Sequence, residues 1–154
     1  PKYDQFGPLK GLEYQKNLER LAFTAGGRTQ TAPAQRLVDF VDGKLSSNLN
    51  ETSYQPGLNS APMHSLLPKL IGSRLRKGFE AFGRKMHGYY TNEANIVGVE
   101  SRTSSPVNIP RKENLEHPEI KGLFPCGEGG GYAGGIVSAA MDGERCAEAA
   151  IELL

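Results

Sequence analysis

The sequence predicts an α+β fold, with a mostly helical region over residues 1–94 and a C-terminal segment of short strands and a closing helix over 95–154. Three observations carry that prediction. Apolar residues recur at helical spacing through the first part of the chain. After His87 the pattern changes to short β-branched runs. Seven of the nineteen glycines fall between Gly122 and Gly135, immediately before a final helical stretch.

Taken in order, Gly11 to Ala25 reads as a helix, with Tyr14, Leu18, Leu21, Ala22 and Ala25 on one face and Gly26-Gly27 as its stop. Pro33 suits the first position of a second helix, whose buried face is Leu37, Val38 and Val41 and which ends at Gly43. Residues 44–62 turn to Ser, Asn, Thr, Gly and Pro and read as an irregular connection. A third helix places Leu67, Ile71, Leu75, Phe79, Phe82 and Met86 on one face. Because Gly72, Gly78 and Gly83 lower its propensity, burial must hold it. Ile96–Val99, Val107–Ile109 and Leu123–Cys126 read as strands. The closing helix runs from about Ala133 to Leu154, with Ile136, Ala140, Ala147, Ile151 and Leu154 expected in the core.

Composition narrows the function classes. Hydrophobic residues at 38%, charged residues at 23% and a net charge of +1 describe an ordinary globular protein with no strong overall field. That argues against a dedicated nucleic-acid binder. Cys126 and Cys146 are the only cysteines, so no disulfide framework is built in. Cys126 reads as a small buried hydrophobe and Cys146 as packing. His64, His87 and His117 share no metal-ligand spacing. No apolar run approaches the roughly 18 residues of a membrane span. The expectation is a cytoplasmic protein without membrane or nucleic-acid partners. A chain opening at Pro1 reads as a piece of a longer polypeptide.

The chemistry concentrates in Gly122-Leu-Phe-Pro-Cys-Gly-Glu-Gly-Gly-Gly-Tyr-Ala-Gly-Gly-Ile136. A nearly side-chain-free bend before a helix exposes backbone N–H groups at the positive end of the helix dipole, where an electron-rich ligand atom is stabilised. Glu128 would repel a phosphate but accepts hydrogen bonds from sugar hydroxyls. Together they suit a hydroxylated chain attached to a polar, electron-accepting ring.

These motifs carry a resemblance. Gly122–Gly129, Gly131–Ile136 and Ser138–Gly143 resemble the C-terminus of FAD-dependent dehydrogenases of the two-dinucleotide-binding flavoprotein type, and Ala32–Arg36 and Arg102–Val107 look like further segments of that family. The resemblance implies a substrate or cap region over 1–94 and, over 95–154, the end of an α/β FAD-binding domain. It implies that Gly127 and Glu128 hold the flavin ribityl chain, and that Gly129 and Gly131 of the same turn are cofactor-binding too. Gly134, Gly135 and Ile136 would face the isoalloxazine ring, and Arg102, Thr103 and Ser104 would lie near flavin or substrate. The cofactor implied is FAD in a full-length parent, with NAD(P)H as a candidate electron partner. The N-terminal FAD-binding region of the same polypeptide and a small-molecule substrate are the implied partners. No Gly-x-Gly-x-x-Gly turn opens the chain, so this piece alone is expected to bind FAD weakly or not at all and to be inactive.

Two other readings stand beside this one. The glycine turn suits a packing device in a non-enzymatic helical interaction module. The basic residues between Lys69 and Lys85 suit either a solvated face or a phosphate-attracting one.

Overall fold

A computed structural model describes residues 2–102 and 104–153 of the chain. It is α+β: helices with one small mixed sheet. Two compact units are present, Pro1–Lys16 with Ser101–Leu154, and Asn17–Glu100.

A 3-10 segment, Asp4–Leu9, leads into α1, Lys10–Ala25. The amide of Gly26 still bonds the Ala22 carbonyl at 2.8 Å, and the left-handed Gly27 (φ +90°) then turns the chain away. The next element departs from expectation. Pro33 starts no helix; it lies in β1, Ala32–Arg36, and α2 follows as Leu37–Asp42. β2 (Leu58–Ser60) pairs parallel with β1 on one side, and β3 (Asn95–Val97) pairs antiparallel on the other.

A proline in a middle strand removes a ladder donor. It is tolerated because the Ala34↔Val97 pair is the last of the β1–β3 ladder, so Pro33 sits just past its end. There its carbonyl accepts the Gly98 N–H at 3.1 Å and no donation is required of it.

The core of this unit is Leu37, Phe40, Val41 and Met63, with Leu67, Phe79, Ile96 and Val99 packed around it. The predicted third helix is α4, Lys69–Lys85, and Pro68 separates it from a preceding short helix that the sequence did not suggest, α3, Met63–Leu66. Pro68 lacks an N–H to continue a helix and disfavours helical backbone at Leu67, which is extended (φ −69°, ψ 147°). Phe79 reaches Phe40 edge-to-face at 5.9 Å. Ile71, Leu75, Phe82 and Met86, expected on the buried face, are exposed; the short α2 covers only part of the stripe.

In the other unit the described residues contain a single long helix beyond the start of α1: α5, Ile136–Ile151. Neither Val107–Ile109 nor Leu123–Cys126 is a strand. Their backbone groups bond to loops instead: Ile109 N–H to Gly130 O at 3.1 Å, and His117 N–H to Leu123 O at 2.7 Å. Without a neighbouring strand an extended run forms no ladder. The face of α5 expected in the core is also reversed. Ile136 is 92% and Ile151 68% exposed, whereas Asp142 and Cys146 are buried. Leu154 lies outside the described residues. No helix among the described residues is long and apolar enough to cross a membrane.

Candidate functional site

The glycine turn owes its shape to a buried ion pair. Arg111 grips Asp142 of α5 with both guanidinium nitrogens, Nη2 to Oδ1 at 2.7 Å and Nη1 to Oδ2 at 3.0 Å. The same Oδ2 accepts the buried Gly127 N–H at 2.8 Å. Nη1 also donates to the Pro125 carbonyl at 2.9 Å. The guanidinium stacks 3.6 Å from the centre of the Tyr132 ring, whose hydroxyl donates to Ile109 O at 2.7 Å. The bidentate Arg111 guanidinium, and then the Gly127 amide, hold the Asp142 carboxyl below the usual aspartate range.

Within the turn, Tyr132 N–H returns to Gly127 O at 3.0 Å and Gly131 N–H to Glu128 O at 2.9 Å. Gly127 (φ +64°) and Gly131 (φ +84°) are left-handed, and a Cβ on Gly131 would meet Val107 O at 2.6 Å. These two glycines are explained by the chain itself. Gly129 and Gly134 are not: their backbone is ordinary, and a Cβ on either would meet nothing within 4 Å. Their outer faces are open to a body approaching from outside.

A cleft of about 500 Å³ opens beside the turn, lined by Leu12, Gln15, Arg102, Ser104, Ser105, Pro106, Val107, Glu128 and Gly129. The structure thus brings together Arg102, Ser104, Glu128 and Gly129 of the residues picked out from sequence. Thr103 lies outside the described residues. Ser105 Oγ donates to Val107 O at 2.8 Å and lies 3.4 Å from Gly129 O. Among the described residues the Glu128 carboxylate, exposed at the cleft, has no hydrogen-bond or ion-pair partner.

Gly134, Gly135 and Ile136 do not line this cleft; they form the start of α5. Gly135 has no side chain to cap the helix, so the exposed first turn keeps unpaired amides, although Ser138 Oγ accepts the Gly135 N–H at 3.2 Å. No acidic residue occupies that turn. Open glycine faces, an acceptor without an internal partner and a free helix start are the features that a hydroxylated, electron-accepting cofactor needs. The residues fit the group.

Arg111 was missed in the sequence. Asp142 stands in α5 with two other acids, Glu144 and Glu148, so the sequence alone does not mark it as the one that meets a buried cation. Gln35 is not on a helix. It is fully buried in β1, where Oε1 accepts the His64 N–H at 3.1 Å and Nε2 donates to His64 Nδ1 at 2.9 Å. Cys126, read as buried, is exposed; Cys146 is buried. Among the described residues no group of three or more His, Cys, Asp or Glu could hold a metal ion.

The family model for FAD-dependent protein, C-terminal domain-like, matches residues 1–103, and the chain belongs to that family. A protein of Clostridium beijerinckii, named only as an uncharacterized protein, is 42% identical over 147 residues, or 94% of this chain. The chain spans 28% of that relative's length. The family match ends before the glycine turn, whereas the alignment with the relative extends across it.

Proposed function

We propose that this chain furnishes the flavin-facing surface of a longer FAD-dependent dehydrogenase, in which hydride passes between FAD and a small substrate or a nicotinamide nucleotide. Bound FAD would supply the two-electron acceptor. The chain's own residues bind and orient. Glu128 accepts from ribityl hydroxyls, and Gly129 and Gly134 leave the backbone open to contact. The amides at the start of α5 face the electron-rich edge of the ring, and their positive potential favours negative charge there. Arg102 and Ser104 would lie near the flavin or the substrate.

The observation that carries this reading is Glu128, an unpartnered carboxylate beside a turn whose Gly129 and Gly134 have no internal reason to lack a side chain. The uncovered face of α5, with Ile136, Val137 and Met141 exposed, supports a second element of the proposal. The preceding FAD-binding region of the same polypeptide covers it, since such an apolar stripe is costly in water.

The test is purification of the full-length parent with and without Glu128→Ala. Loss of bound flavin at equal folded yield is expected. Flavin content and absorption spectrum both unchanged by the substitution would remove Glu128 from the site.

A further inference from the structure

The two cysteines, separated by nineteen residues in sequence, lie on segments that meet at the base of the glycine turn, where the amide of Gly127, next to Cys126, bonds Asp142, one helical turn before Cys146. Cys146 on α5 is buried, and its Sγ lies 3.8 Å from the carbonyl of Pro125, the residue bonded to Cys126. Arg111 Nη1 stands 3.3 Å from the same sulfur. Cys126 is exposed. We infer that Cys126 and Cys146 form a peroxide-responsive thiol pair that closes reversibly into a disulfide, fastening the glycine turn to α5.

The chemistry assigns each cysteine its part. Cys126 is open to solvent and reacts first: its thiolate attacks hydrogen peroxide, the O–O bond breaks, and a sulfenic acid forms as hydroxide leaves. The proton released earlier from the Cys126 thiol neutralises that hydroxide to water. The Cys146 sulfur then attacks the sulfenic sulfur, the S–O bond breaks, and the Cys146 proton leaves with the oxygen as a second water. Two thiols have lost two electrons and two protons; the peroxide has gained them.

Burial pushes the Cys146 thiol up, Arg111 pulls it down, and Asp142 and the Cys126 thiol raise it further. A buried, protonated thiol is slow towards a reagent in solution, yet it is well placed to attack a neighbour already oxidised. This division between exposed attacker and sheltered resolver distinguishes a redox pair from two independent packing cysteines. Oxidation would hold Cys126 against the helix that already anchors Gly127 through Asp142.

The inference does not rest on the flavin reading, and its readout is covalent mass. Full-length parent protein is treated with hydrogen peroxide and then digested without reduction. A cross-linked peptide joining Cys126 to Cys146, lighter than the sum of its parts by two hydrogens and separated by dithiothreitol, is expected. The Cys146→Ser variant should instead accumulate a Cys126 sulfenic acid trapped by dimedone. In Cys126→Ser, the surviving Cys146 should stay reduced. Circular dichroism confirms that each variant is folded; should Cys146→Ser not fold, wild type and Cys126→Ser decide the question. Absence of the cross-link in wild type, or rapid Cys146 oxidation in Cys126→Ser, would overturn the pair.

Discussion

Asp142 Oδ2 accepts both the Arg111 Nη1–H, at 3.0 Å, and the Gly127 N–H, at 2.8 Å, so one carboxylate oxygen joins a loop cation to the backbone of the glycine turn. The side chains of Arg111 and Asp142 are only 10% and 8% exposed. Through the pair, Pro125, Gly127 and the Tyr132 ring are all tied to one cation and its carboxylate.

Breaking the pair from one side should therefore be costly. Asp142→Ala leaves the Arg111 charge buried and the Gly127 amide unsatisfied, a loss on the order of 3 kcal/mol. The double variant Arg111→Met, Asp142→Leu should recover part of that loss in urea denaturation of the full-length protein, because no charge is then stranded.

The same carboxylate sets an acid limit. Because Arg111, and then the Gly127 amide, hold Asp142 below the ordinary value of 3.8, its contribution is complete above that pH. It is lost as the pH falls through the lower folded value. Denaturation midpoints measured down the acid limb should fall less steeply for Asp142→Asn than for wild type.

Two glycines of one turn should behave oppositely. Gly131→Ala forces a left-handed residue against Val107 O and should cost about 1–3 kcal/mol. Gly129→Ala meets nothing within 4 Å and should leave the melting temperature unchanged while lowering flavin occupancy in the full-length parent. Equal effects on both measurements for the two variants would separate the turn from the cofactor.

His64 offers a check on the other unit. Burial first, and then the Arg76 charge, lower its pKa below the usual 6.5. The neutral ring is the folded form, so its contribution is present above pH 6.5 and is lost as pH falls through the folded value. Arg76→Met should raise the midpoint of the His64 titration followed by NMR. Gln35→Leu leaves the His64 amide without its acceptor and should cost about 1–3 kcal/mol.

Periodicity made α1, α2 and α4 legible, because residues such as Leu18, Leu37 and Phe79 repeat with the helix and do face protein. The same periodicity misassigned α5. Ile136, Ala140 and Ile151 mark a real apolar stripe, but spacing does not say whether its cover lies within these residues. Pro33 was misread because a proline's local preference suits both a helix start and the end of a ladder; only the register of β1 against β3 decides. Of the site, the glycine turn and Glu128 could be read from residue type alone. The Arg111–Asp142 clamp could not, since its partners are thirty-one residues apart and meet only through tertiary packing.

The brevity of the outer strands has a consequence for colloidal behaviour. Leu58–Ser60 and Asn95–Val97 are three residues each, so either margin of the sheet offers an incoming chain few main-chain groups to grasp. At high concentration this small sheet should seed neither fibrils nor strand-exchanged oligomers.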